Sequence, residues 1–224
     1  ICSLFFISIP YVAPQTKASI SGVWDDLKLG IQAIFQHQGI KQLFLYAMVV
    51  TFFVMPVAIM FPLLTIEHYG GAKWEMSVVE IAWGVGMLVG GSLLGILRMP
   101  IAKIVLINSM YIILGLTFAL SGLFAPSWFI PFVFVTAVGG ISMSIFSAAF
   151  MTIIQEEIPQ HMLGRVFSLY FSIAILPSII GLLFTGLVAE AIGITTAFVI
   201  SGIFVCLVGI LSFYTAAMMS LGRK

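Results

Sequence analysis

The sequence predicts an all-α, polytopic membrane protein: a bundle of six transmembrane helices, preceded by a linker and by the end of one further helix. Three observations carry that prediction. Of the 224 residues, 62% are hydrophobic and only 8% charged, where soluble domains carry about 25% charged residues. The mean hydropathy is +1.22. The apolar residues also gather into six runs, each long enough to cross a hydrocarbon layer of about 30 Å, which takes about 20 helical residues.

Residues 1–12 (ICSLFFISIPYV) form an apolar run too short to cross a bilayer. They lack the basic start and small-residue cleavage site of a signal peptide. We expect them to be the end of a transmembrane helix whose beginning lies upstream. Residues 13–42 are more polar. Within them Val23, Leu27, Ile31 and Ile34 recur at helical spacing, with Asp25, Asp26, Lys28 and Gln32 on other faces. That pattern predicts an amphipathic helix, lying at the membrane surface or serving as a solvated connector.

The six spans are expected at Leu43–Ile66, Ser77–Leu97, Ile104–Phe124, Trp128–Ile154, Val166–Ala189 and Ile194–Met219. Together they make a domain over residues 43–219, followed by a short tail at 220–224. Pro56 and Pro62 interrupt the first span, Pro131 the fourth and Pro177 the fifth. Such prolines are tolerated in lipid where neighbours satisfy the freed carbonyls, and they kink the helix.

Six spans place the linker, the second and fourth connections and the tail on one side. That side holds Lys17, Lys28, Lys41, Arg98, Lys103, Arg165, Arg223 and Lys224; Lys73 alone is opposite. By the positive-inside rule the linker and tail are cytoplasmic. Tyr69, Trp74 and Trp128 edge the other side, where an aromatic belt belongs.

Several function classes find no support. The net charge of +1 and singly scattered basic residues do not suggest nucleic-acid binding. Cys2 and Cys206 lie far apart inside apolar segments, and the three histidines fall on separate loops. Neither a disulfide framework nor a metal site is indicated, no cofactor motif occurs, and no enzyme signature such as HExxH, GxSxG or a P-loop is present.

The stretch from Trp74 to Pro100 is the most informative. Glu80 lies about 5 Å inside the apolar part of this span if the segment is helical. Acids inside membrane spans are costly, so Glu80 is a candidate for proton linkage or gating. It could instead reach back to the surface. The span also carries Gly84, Gly86, Gly90, Gly91 and Gly95. In water each interior glycine costs a helix about 1 kcal/mol relative to alanine, but in lipid glycines let a neighbouring backbone approach. We expect a helix-interface face here.

On the fourth span Thr136, Gly140, Ser144 and Ser147 share a stripe, as do Ser168 and Ser172 on the fifth, with Gly181 and Thr185 beyond Pro177. Such stripes serve either as packing faces or as the polar wall of a cavity. Thr136, Gly140 and Ser144 are therefore cavity candidates, with Tyr46, Phe52 and Phe53 on the first span as an aromatic wall.

These segments resemble a known family. The linker DDLKLGIQAIFQHQGIKQLF, the Pro-broken span ending MFPLLTIEHYGG, the run VEIAWGVGMLVGGSLLG and the loop QEEIPQHMLGRVFSLY are similar, in that order, to the C-terminal half of major facilitator superfamily transporters. The likeness is to the bacterial macrolide-efflux and enterobactin-exporter branch. The resemblance implies a secondary active transporter of twelve helices, whose two halves rock about a central substrate site by alternating access. The six spans would then be helices 7 to 12, and the partners would be an N-terminal six-helix half, the bilayer of the cell membrane, a small-molecule substrate and protons.

In that scheme helices 7 and 10 line the cavity, and helices 8 and 11 face the other half, with the helix 8 glycines, Pro177 and Gly181 as interface positions. Arg98, Lys103 and Arg165 would anchor or gate the cytoplasmic loops. The loop GSLLGILRMPIAK keeps Gly91, Gly95, Arg98 and Lys103 but lacks the family's aspartate. The activity implied is proton-driven export of amphiphilic drugs or related molecules. An uptake symporter of the same fold, or a non-transporting scaffold or sensor, is the alternative.

Overall fold

The computed structural model describes residues 28, 31, 32, 34–96 and 102–221. The expected helix end at 1–12, most of the linker, Arg98 and residues 222–224 lie outside the described residues. Every described element is helical: α1 Gln38–Glu67, α2 Lys73–Ile96, α3 Lys103–Leu123, α4 Phe129–Glu157, α5 Gln160–Ile192, α6 Ile194–Phe213 and the short α7 Ala216–Met219. The first six are long and apolar enough to cross a membrane. A chain in lipid has no water to bond its backbone, so long uninterrupted helices are the form these runs must take.

The connections use local chemistry. After α1 the His68 and Tyr69 amides donate to the Leu64 carbonyl and Gly71 donates to that of Thr65. Gly70 between them takes φ +66°, a left-handed value that glycine adopts without penalty. The Glu75 carboxylate then reaches back to the Ala72 amide at 2.7 Å, half of a capping box for α2. Gly193, at φ +82°, separates α5 from α6 in the same way.

The bundle is built around α3, the most buried span. It packs most closely on α6, where Gly115 and Gly202 put backbone against backbone, and next on α4. α2 lies outside α4, and α5 packs chiefly on α1. α1 and α2, although joined by a five-residue turn, barely touch. Tyr111, Phe118, Phe132, Phe150 and Phe198 are the largest fully buried side chains.

One boundary differs from expectation. The apolar run Ile194–Met219 is not one helix: α6 ends at Phe213, and α7 turns beneath the bundle. Met218 becomes fully buried and Leu221 nearly so, and Thr215 shares a 2.7 Å hydrogen bond with the Tyr46 hydroxyl. Gly39 permits this return, because a Cβ there would lie 2.6 Å from the Ala217 carbonyl oxygen. Hydropathy does not distinguish residues buried by this turn from residues facing lipid.

Candidate functional site

At about 3.6 residues per turn, the residues singled out on α2 fall on two faces. Gly86 and Gly90 are buried against α4. A Cβ on Gly86 would lie 2.1 Å from the Ala137 carbonyl oxygen, and one on Gly90 would lie 2.6 Å from that of Ile141. Gly140 completes the contact from the α4 side, where a Cβ would meet the Trp83 carbonyl oxygen at 2.2 Å. Among the described residues, a Cβ on Gly84 or Gly95 would have nothing within 4 Å, and one on Gly91 only the Ser144 hydroxyl, at 3.3 Å. The five glycines expected on a single face therefore divide: two bind α2 to α4, and three lie with Ser77 and Glu80 on an outer side.

Drawing α2 onto α4 leaves a gap between α2 and α1, and a cavity of about 220 Å³ fills it. α1 contributes Val54, Ala58, Phe61, Pro62 and Thr65; α2 contributes Met76, Val79, Glu80 and Trp83; Phe118 of α3 and Thr136 of α4 close it. Phe61 is the hub of an aromatic cluster, with ring centroids 5.9 Å from Trp83, 6.0 Å from Phe118 and 5.1 Å from Phe198. The Thr65 hydroxyl donates to the Phe61 carbonyl and that of Thr136 to the Phe132 carbonyl, each at 2.9 Å. Glu80 is exposed at the rim. It is the only charged side chain among the described residues of the lining.

The other candidates lie elsewhere. Phe52 and Phe53 line a second cavity, of about 200 Å³, between α1, α5 and α6. Phe53 there stacks on Phe204 with centroids 4.6 Å apart. Gly181 faces this region from α5, where a Cβ would meet the Phe52 carbonyl oxygen at 3.1 Å. Pro177 lies one turn earlier within α5. Gly140 and Ser144 belong to the α2–α4 contact, and Tyr46 is engaged by Thr215. Of the six cavity candidates only Thr136 meets Glu80 in one site.

Phe61, Trp83, Phe118, Thr65 and Met76 were not among the sequence candidates. Met76 and Trp83 stand four residues before and three after Glu80, on adjacent turns, so helical spacing alone could have found them. Phe61 is one of 20 phenylalanines.

At the other end of the bundle Lys103 forms an ion pair with Glu156 of α4. Both side chains are well exposed, 39% and 45%, and exposed pairs are worth about 0–1 kcal/mol. Arg165 is half-buried near the start of α5. At the Glu80 end, the His68 Nε2 lies 2.8 Å from the Phe124 carbonyl and the Tyr69 hydroxyl donates to that of Ser121 at 2.7 Å, fastening the α1–α2 turn to α3. Burial pushes the Tyr69 phenol well above its ordinary range, so it stays a donor. Among the described residues no group of three or more His, Cys, Asp or Glu could hold a metal ion.

The family model described as "Major Facilitator Superfamily" matches residues 43–218. The chain belongs to the major facilitator superfamily. This superfamily member is 31% identical over 204 residues to "Macrolide efflux protein A" of Streptococcus pyogenes, covering 91% of this chain and 50% of that protein. It is also 31% identical over 180 residues to the protein of the same name from Enterococcus faecalis, covering 80% and 56%. It is 26% identical over 168 residues to the "Uncharacterized MFS-type transporter YfiS" of Bacillus subtilis, covering 73% and 40%. The chain spans about half the length of the curated relatives it matches. Its helices and its superfamily make it a multi-pass membrane protein.

Proposed function

We propose that this chain is the C-terminal six-helix half of an exporter that moves amphiphilic small molecules by alternating access, driven by protons. The similarity to macrolide efflux proteins over most of the chain is the observation that carries this reading. The outer side of α2, where among the described residues a Cβ on Gly84 or Gly95 would have no atom within 4 Å and one on Gly91 would touch only the Ser144 hydroxyl, supports a second half docking there. In this reading residues 13–42 link the two halves, and helices α1 and α4 face the substrate path. Arg98, Lys103 and Arg165 hold the loops on the cytoplasmic side, and Glu80 sits at the outer end as a gating or proton-linked acid. No catalytic step is assigned.

The test is accumulation of a fluorescent amphiphilic drug in cells making the full-length protein, with and without an uncoupler. Export should stop when the proton gradient collapses. Export that continues unchanged would eliminate proton antiport, and gradient-driven accumulation above the control would point to uptake instead.

The linker and tail are proposed to be cytoplasmic, with the protein in the cell membrane, on the strength of eight of the nine basic residues lying on that side. In a cysteine-free background, a cysteine replacing Lys73 should react with an impermeant thiol reagent in intact cells, and one replacing Lys41 only after permeabilisation. The reverse pattern would invert the topology.

A further inference from the structure

We propose that the cavity between α1, α2 and α4 is a subsite for the protonated amine end of an amphiphilic substrate, with the ammonium against Glu80 and its apolar substituents against the aromatic wall. This rests on the export reading and adds to it the chemistry of what is bound. At about 220 Å³ the space is below the range of about 300–1,000 Å³ typical of pockets for whole drug-sized ligands. It therefore holds one end of such a molecule, and its polar groups decide which end.

Those groups are nearly all hydrogen-bond acceptors. The hydroxyl protons of Thr65 and Thr136 are both committed to carbonyls of their own helices, which leaves only oxygen lone pairs facing the cavity. Pro62 has no N–H, so the carbonyl of Ala58, another lining residue, loses its helical donor. Among the described residues the lining contains no lysine or arginine, and the Trp83 indole carries its one side-chain N–H. Among the described residues, no hydrogen bond or ion pair engages Glu80.

A carboxylate left alone beside an apolar wall is costly when a ligand displaces its water. A neutral apolar ligand would impose that cost, and an anionic one would add repulsion. A cationic N–H group removes it with a charge-assisted hydrogen bond. The rings of Phe61, Trp83 and Phe118 supply dispersion contacts to the attached carbon groups and favour a cation near their faces.

The experiment uses the full-length protein in nanodiscs and two probes of one shape: a naphthylalkyl tertiary amine, and its analogue with carbon in place of the nitrogen. The amine should bind at least tenfold more tightly. Glu80→Gln should abolish that preference, with the neutral probe bound at least as tightly as before because no carboxylate is left stranded and the melting temperature unchanged, and Glu80→Asp should keep most of the preference. Trp83→Ala should weaken both probes by a similar factor. Equal binding of the two probes to the unmodified protein, or an amine preference that survives Glu80→Gln, would overturn the proposal. Loss of neutral binding in Glu80→Gln would overturn it as well, since the acid would then be shaping the cavity. Drug export measured on the same protein separates the two readings: Glu80-dependent amine preference without export leaves the subsite standing and removes the exporter, while export without amine preference does the opposite.

Discussion

Replacing Gly86 by valine should remove most of the folded protein from the membrane, whereas valine at Gly84, two residues away, should leave the amount of folded protein near normal. At Gly86 even the first added carbon would sit 2.1 Å from the Ala137 carbonyl oxygen. The obstacle is backbone, which cannot rotate aside as a side-chain end could. The α2–α4 contact would have to open, taking Gly140 and the Trp83 carbonyl with it. Overpacking costs about 1–3 kcal/mol and occasionally more, and an immovable backbone obstacle puts this site at the upper end. At Gly84 an added Cβ would have no atom of the described residues within 4 Å.

The two variants are compared by yield of monodisperse full-length protein and by its melting temperature. Equal losses would mean that α2 does not have the two faces described. Under the proposed half-to-half docking, Gly84→Val should instead slow export while the protein stays folded, because its side chain would enter the seam that α2 forms with the other half.

Glu80→Gln should reduce gradient-driven export at least tenfold while leaving assembly intact. Glutamine keeps the size of the side chain and removes the charge, and among the described residues no other ionisable group lines the cavity. Because Glu80 is exposed at the rim and, among the described residues, makes no bond to a neighbouring helix, its loss should not loosen the bundle. Export from membrane vesicles at a fixed imposed proton gradient is the measurement. A full rate, with the same dependence on the gradient, would reduce Glu80 to a solvated residue at the end of α2.

Much of the fold was legible because hydropathy is read residue by residue. The six runs became α1 to α6, with ends shifted by a few residues, and the turn at Gly70 falls where HYGG interrupts the apolar pattern. The site was less legible. Glu80 stood out as an acid in a greasy helix, yet its companions did not. Phe61 and Phe118 gain their meaning from a gap that exists only because α2 leans on α4 and not on α1. Tyr46 looked like a cavity aromatic; the return of α7 brings Thr215 to its hydroxyl. Gly140 and Ser144 looked like a polar stripe; Gly140 lies against the Trp83 carbonyl of α2, and the Ser144 hydroxyl faces Gly91 at the edge of the same contact.

The sequence by itself determined that this protein lives in a membrane, that six helices can cross it and that an acid rides on the second of them. The tertiary structure alone decided which glycines join helices, which face of α2 stays open and that Glu80 shares a cavity with Thr136. In a water-soluble helix the apolar stripe marks the side that faces the core. In lipid both sides of a helix are apolar, and what separates inside from outside is close packing between particular backbones. That contact depends on residues distant in sequence, so no local pattern records it.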